Sequence, residues 1–172
     1  TPALNIVGPL IEKYKYNYDN EILSDMFISL LANSMDAKHS SEAHPSFVDI
    51  ISQLSSDEAR LLKSIASSSI CPKIDVAIET PETGGYNIIK RNLLSQSFLH
   101  GLQYADFIPA YLDNLQRLNL INCTSGSTQE SYHEKKHYDE IKNNPFIKML
   151  ESNLDEKTQK KVITKKKNYA RK

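Results

Sequence analysis

Two histidines with a glutamate between them form the pattern in this chain with the clearest capacity for chemistry. The residues His133-Glu134-Lys135-Lys136-His137 have the spacing H-E-x-x-H. On a helix, histidines four residues apart lie on one side, where both imidazoles can bind zinc while the glutamate activates a water molecule. In this interpretation His133, Glu134 and His137 would be the metal and catalytic residues of a zinc hydrolase.

The surroundings of this pattern favour an exposed helix over a metal site. Both intervening residues are lysines, and their positive charges oppose the binding of a divalent cation. A zinc site also requires a third ligand, and candidates such as Glu151 or Glu156 follow an expected helix break at Asn144-Pro145. We therefore predict no catalytic residues, no metal and no cofactor, and keep the zinc hydrolase as an alternative.

Other residues that could react have structural interpretations. His44 precedes Pro45 and Phe47, so we expect it to cap or pack against a helix whose first turn Pro45 sets. Cys71 and Cys123 lie far apart and form no C-x-x-C pair, which indicates reduced thiols. The sequence also lacks a Gly-rich phosphate loop and a G-x-S-x-G pattern.

The formal net charge of zero hides an asymmetry along the chain. Residues 157–172 contain eight Lys and Arg and no acidic residue, so the preceding 156 residues carry a net charge of −8. Clustered cations such as Lys165, Lys166 and Lys167 can contact phosphates, anionic lipid or an acidic partner. We favour a solvated terminal strand and keep these lysines as candidate contacts.

The composition is that of an ordinary globular protein. Charged residues make up 24% of the 172 and apolar residues 40%, which is too apolar for wholesale disorder. The sequence contains no run of roughly 18 apolar residues, as a membrane span requires, and no signal peptide opens it. We expect a cytoplasmic protein without a membrane span; its first residue is Thr rather than Met, which is compatible with a segment upstream of Thr1.

Helical spacing of apolar residues predicts four helices in the first third. The first spans residues 4–18, with its regular part beginning at Pro9. A second follows a cap at Asp19 or Asn20, and a third begins near Pro45. Ser55 and Glu58 have the spacing of a capping box, which predicts a fourth helix after them.

The pattern then changes to one that mixes strands and helices. Alternation at residues 74–78 and a return at 86–94 predict a hairpin. Helices follow from residue 95 and over 106–118, and Asn119 is expected in the left-handed conformation. A strand begins at 120–121, a helical stretch with the break at Asn144-Pro145 covers 130–154, and a last short strand covers 161–164.

This order predicts a mainly α (α+β) fold. An N-terminal helical region (residues 1–54) precedes a winged-helix-like region (55–172) with a β-hairpin, and we expect the two to pack as one compact unit. The segment 121–162 would be an enlarged helical wing. The helix whose last residues are 112–118 would occupy the recognition position. Gln116 and Arg117 are therefore candidate contacts with nucleic acid or another partner.

Several stretches resemble the abortive-infection alpha (Abi-alpha) family. They are Gly8-Pro9, NEILSDMF (20–27), LLANSMD (30–36), HPSFVDII (44–51) and Leu54-Ser55. The resemblance is strongest over residues 8–62 and looser in the second half, where Asn119 replaces a frequent Gly. It implies a bacterial, cytoplasmic protein linked to phage resistance, and it brings no catalytic residues.

Together these patterns favour a noncatalytic module that binds or senses another macromolecule during phage defence. We expect a protein partner or a phage component. The alternatives are a nucleic-acid-binding winged helix and the zinc hydrolase described above, and self-association is compatible with the sequence.

Overall fold

The computed structural model describes residues 4–36, 38–39, 43–68, 70–80, 82, 84–125, 132–154 and 161–171. Helices and an antiparallel sheet make a mixed α+β fold. In chain order the elements are α1 (Leu4–Tyr14), α2 (Glu21–Met35), α3 (Ser46–Ser52), α4 (Ser56–Ser68), β1 (Ile70–Thr80), β2 (Gly85–Leu94), α5 (Gln96–Leu99), a 3₁₀ turn (Ala105–Phe107), α6 (Ile108–Arg117), β3 (Ile121–Ser125), α7 (Tyr132–Lys142), α8 (Pro145–Asn153) and β4 (Val162–Arg171). No helix in these ranges is long and apolar enough to cross a membrane.

The chain divides into two compact units, Thr1–Arg60 and Leu61–Lys172. Three expectations stay predictions. They are the boundary after residue 54, the packing of both regions as one unit and the winged-helix assignment.

In the first unit α1, α2 and α3 pack against one another. The predicted start of the regular first helix at Pro9 is wrong, because α1 begins at Leu4 and continues through this proline. Pro9 removes one N–H donor in the second turn, whereas continuing the helix buries Ile6 and Leu10 on one face. The gain from burying two large side chains exceeds the cost of one hydrogen bond.

The predicted starts of α2 and α3 are confirmed. The Asn20 side chain accepts a hydrogen bond from the Leu23 N–H (3.5 Å). The His44 Nδ1 accepts from the Ser46 N–H (3.2 Å) and lies 2.7 Å from the Ser46 hydroxyl, so this histidine contacts the first residue of α3, and Pro45 is the N-cap.

The capping box before α4 is also present. The Glu58 N–H donates to the Ser55 hydroxyl (3.2 Å), and the Ser55 N–H donates to the Glu58 carboxylate (2.6 Å). We expect Ser55→Ala to lower the free energy of unfolding by about 1 kcal/mol, because a helix-start amide loses its acceptor. Urea denaturation measures the change. Ser67→Ala, at the exposed end of the same helix, is the control, and equal stability of both variants would contradict the role of the cap.

In the second unit the strands form one antiparallel sheet in the order β2-β1-β4-β3. The predicted hairpin is confirmed as β1 and β2. The break at Asn144-Pro145 is confirmed too, with the Asn144 side chain accepting from the Phe146 N–H (2.9 Å). Asn119 has φ +62° as expected, since Asn tolerates the left-handed region better than most residues.

The last strand is longer than its sequence predicted. The basic segment, expected to be mostly a solvated terminal strand, forms β4 and pairs with both β1 and β3. Because β4 pairs with a strand on each side, its backbone N–H and C=O groups form hydrogen bonds. The free energy gained from these bonds does not depend on how polar the side chains of β4 are.

One core of this unit lies where α7 and α8 pack beside β1 and β2. Its members are mostly aliphatic, with one tyrosine: Ile74, Val76, Leu93, Tyr138, Ile141 and Ile147.

Candidate functional site

The three residues of the H-E-x-x-H pattern lie on α7. The side chains of His133 and Glu134 are outside the described residues. The His137 Nδ1 lies 2.8 Å from the Ser95 hydroxyl and 3.9 Å from the Glu140 carboxylate, and its ring packs on Phe98 with 5.3 Å between centroids.

These contacts connect α7 to the start of α5. Ser95 is only 1% exposed, so a substrate cannot reach its hydroxyl. Glu140 also accepts a hydrogen bond from the Gln96 N–H (2.9 Å). Glu151 is exposed on α8, and Glu156 lies outside the described residues. Within the described part of the chain, no group of three or more His, Cys, Asp and Glu side chains is placed to hold a metal ion.

The other predicted contact residues lie on α6 and β4. Gln116 and Arg117 are exposed near the end of α6. The Arg117 guanidinium donates two hydrogen bonds to the Asn114 side-chain oxygen, from Nε (3.0 Å) and Nη2 (2.7 Å). This group is therefore held against its own helix.

The candidate lysines of β4 contact other side chains within the unit. The Lys166 Nζ lies 4.8 Å from the ring centroid of Tyr138, and the Lys167 Nζ lies 3.5 Å from the Asp75 carboxylate. Consecutive strand residues point to opposite faces, so these two lysines do not form one patch. The side chain of Lys165 is outside the described residues.

The structure reveals a buried polar cluster that sequence reasoning missed, formed by Lys73, Asp75, Asn92 and Tyr169. Lys73 and Asp75 are each 5% exposed. The Lys73 ammonium donates to the Asn92 side-chain oxygen and to the Tyr169 hydroxyl (3.3 Å) and lies 3.8 Å from the Asp75 carboxylate. Asp75 in turn accepts from the Asn92 N–H (2.9 Å).

Strand register and one unusual backbone conformation bring this cluster together. Tyr169 pairs with Cys71 on one side and with Cys123 on the other, so all three lie in one row on the face that carries Lys73. Asn92 has φ +56°, in the left-handed region, next to the register shift between Ile74 and Val76. In this conformation the Asn92 N–H points towards the Asp75 carboxylate.

Burial determines the ionisation of the cluster. It lowers the pKa of Lys73, and the nearby Asp75 carboxylate opposes that shift. Burial also raises the pKa of Tyr169 and that of the Cys71 thiol. Both groups are therefore neutral at pH 7, so neither supplies an activated nucleophile.

The cluster is closed and internally satisfied. Among the described residues, every buried side-chain nitrogen and oxygen has a hydrogen-bond partner. Such networks join strands in one register, and this one connects β1, β2 and β4. In the sequence, Lys73 and Asp75 occupy alternate positions of a strand. Such a pattern indicates a solvent-exposed face, so it did not reveal that both residues are buried.

A second feature is an aromatic patch at the start of α6, formed by the exposed Tyr104 and Phe107 and the half-buried Tyr111. The ring of Phe107 lies 6.4 Å from each of the other two. Tyr104 is 56% exposed and Phe107 59% exposed. Contiguous exposed apolar groups of this kind mark interaction surfaces more often than isolated ones do.

Comparisons with known proteins relate the chain to one family. A family model described as abortive infection alpha matches residues 1–171, and a search of curated proteins gave no match. Among solved structures, the chain is similar to an uncharacterized protein from the hydrocarbon-degrading marine bacterium Alcanivorax borkumensis SK2. That similarity has 16% sequence identity and a TM-score of 0.43, and it covers 80% of this chain and 91% of the other. Because the family model spans nearly the whole sequence, the chain belongs to the abortive infection alpha family.

Proposed function

We propose that this chain is a noncatalytic module that binds another macromolecule during bacterial defence against phage, in the cytoplasm. Membership of the abortive infection alpha family supports the role in defence. The aromatic patch at the start of α6 is the observation that carries the binding role and favours a protein partner or a phage component.

The chemistry of the patch fits a protein interface. Aromatic side chains are enriched at the centres of such interfaces because they bury a large area with few rotatable bonds. Phe107 has no polar group that water could satisfy, so its exposure costs free energy in the unbound chain. Burial against a partner would recover that free energy.

The order of elements supports a winged-helix-like scaffold for this surface. α6 directly precedes β3, and three strands lie in the order β1-β4-β3. In this proposal α6 occupies the recognition position. The segment containing α7 and α8, between β3 and β4, is the enlarged wing.

A nucleic-acid partner is the competing prediction. The contacts that Arg117 and Lys167 make within the chain favour a nucleic-acid partner less than a protein partner. Arg117 is bound to Asn114, and Lys167 is paired with Asp75. The start of α6 carries Asp106, whose charge opposes phosphate. We therefore expect negligible affinity for duplex DNA at low salt, measured by fluorescence anisotropy. Tight binding that weakens steeply with salt would support the nucleic-acid function instead.

Phage protection tests the proposed surface. The complete protein carrying Tyr104→Ser and Phe107→Ser is compared with wild type in a host that it protects, by efficiency of plating. We expect protection to fall at least about tenfold, because interface aromatics contribute strongly to binding. The matched control, Tyr16→Ser with Tyr18→Ser, changes two exposed tyrosines after α1. Full protection by the Tyr104/Phe107 variant, with unchanged thermal unfolding, would refute the proposal.

A further inference from the structure

β2 lies at one edge of the sheet, and its first half is exposed on both faces. Among the described residues, β1 is the only strand that pairs with β2. Residues 86–91 are all exposed, although consecutive strand residues point to opposite faces. The side chains of this segment include the apolar groups of Ile88 and Ile89, which are 38% and 46% exposed. An edge of this kind can pair with a further strand.

The direction of the backbone groups of β2 follows from its pairing with β1. The Glu79 N–H donates to the Lys161 carbonyl (2.9 Å), on the side of β1 that faces β4. Hydrogen-bonded and non-hydrogen-bonded pairs alternate along an antiparallel ladder. Because Glu79 pairs with Tyr86 and Ala77 with Ile88, neither of these pairs exchanges hydrogen bonds. The N–H and C=O of Ile88 therefore point away from β1, towards the open edge.

A bulge limits the regular part of this edge. The register with β1 passes from Ile88 directly to Lys90 and skips Ile89. A bulge bends its strand and interrupts the ladder, so the regular edge covers residues 85–88. The centre of an added strand must lie within this short segment, and Asn87 is the residue between the two positions whose backbone groups face outwards.

A second copy of β2 fits this edge when it runs antiparallel about a two-fold axis at Asn87. Ile88 of each copy then lies opposite Tyr86 of the other. The Ile88 N–H can donate to the Tyr86 carbonyl across the axis, and the two side chains lie on the same face of the sheet. A β-branched residue opposite an aromatic one is a favourable cross-strand pair.

The charges along β2 also suit an antiparallel copy. The exposed Glu82 lies in the turn before β2, and the exposed Glu79 of β1 is paired with Tyr86. The other end of the exposed segment carries Lys90 and Arg91. An antiparallel copy brings the acidic end of each strand towards the basic end of the other, whereas a parallel copy would align like charges. The edge is therefore complementary to itself.

From these features we infer that two copies of this chain associate through β2 and form a sheet that continues across the interface. A two-fold contact of this type uses the same surface on both copies, as in most homodimers. A contact along one short strand buries less area than a standard interface, so the dissociation constant is expected on the order of 10–100 μM. This surface is separate from the aromatic patch, and self-association goes beyond the proposed function.

Analytical ultracentrifugation of the purified full chain, from about 5 to 500 μM, tests the association. We expect the weight-average mass to rise with concentration from that of a monomer towards that of a dimer. Ile88→Lys should weaken association at least about tenfold, because a charge would lose hydration between the strands. The matched control is Ile28→Lys, which changes an exposed isoleucine of α2 and should leave association unchanged.

A second pair of variants tests the role of the backbone. Ile88→Pro and Ile88→Ala both remove the isoleucine side chain, but only proline also removes the outward N–H. We expect Ile88→Pro to weaken association several-fold more than Ile88→Ala. Thermal unfolding checks that both variants fold. If Ile88→Pro does not fold, hydrogen exchange of the wild-type chain replaces it, and protection of the Ile88 amide should increase with protein concentration.

A chain that stays monomeric up to about 500 μM would overturn the proposal. A dimer of equal stability in wild type and Ile88→Lys would also overturn it, because another surface would then join the two copies. An extended acidic peptide that protects the Ile88 amide of a monomeric chain would assign the edge to a different partner and exclude self-pairing. None of these measurements depends on phage protection.

Discussion

Replacing Asp75 by alanine is expected to lower the free energy of unfolding by about 3–5 kcal/mol, because the change leaves the buried Lys73 ammonium without its carboxylate. The Asn92 N–H would also lose its acceptor, and Lys167 would lose its ion-pair partner. Urea denaturation followed by circular dichroism measures the loss. If the alanine variant does not fold, Asp75→Asn keeps the shape and removes only the charge.

Two comparisons separate the effect of charge from a general effect of substitution. Asp106→Ala removes a carboxylate that is almost fully exposed and should change stability by no more than about 0.5 kcal/mol. The double variant Lys73→Met, Asp75→Leu removes both charges together and should be more stable than Asp75→Ala, because an unpaired buried charge costs more than an apolar pair. If the double variant were instead less stable, the ion pair itself would stabilise the fold.

Tyr138→Ala is expected to cost about 3–5 kcal/mol, the range found when large buried aromatic side chains are truncated. Tyr138 is buried between α7 and the sheet, in the cluster that includes Ile74 and Val76. Its hydroxyl donates to the Lys167 carbonyl (3.0 Å), and the Lys166 ammonium lies over its ring. Thermal and urea unfolding of the purified variants measure the cost.

Tyr138→Phe divides that cost into its two parts. It removes only the hydrogen bond to the Lys167 carbonyl, so we expect a loss of about 1 kcal/mol. Met149→Ala changes an exposed side chain on α8 and serves as the control, with an expected change within about 0.5 kcal/mol. Near wild-type stability of Tyr138→Ala would mean that α7 contributes little to the core of this unit.

Features that depend on neighbouring residues were predictable from the sequence. The capping box of Ser55 and Glu58, the cap at Asn20, the left-handed Asn119 and the break before Pro145 all matched the structure. Each depends on hydrogen bonds or backbone preferences within about four positions. The first half of the sequence also carried enough of these local patterns to reveal the family.

Features that depend on distant residues were not predictable in the same way. The H-E-x-x-H pattern could not show that His137 would contact Ser95, which lies 42 positions earlier. The lysine run from 165 to 167 suggested a solvated tail, although pairing on both sides makes it an inner strand. Polar composition describes side chains, whereas the backbone hydrogen bonds of a sheet are available to nearly any sequence.

By itself the sequence determined the helices, their caps, the hairpin and the family, because short-range sterics and hydrogen bonds specify these features. Only the tertiary structure decided which charged groups are buried and which face solvent. The cluster of Lys73, Asp75, Asn92 and Tyr169 joins residues up to 96 positions apart. Burial and electrostatic environment follow from which elements pack together, and that packing depends on the whole chain.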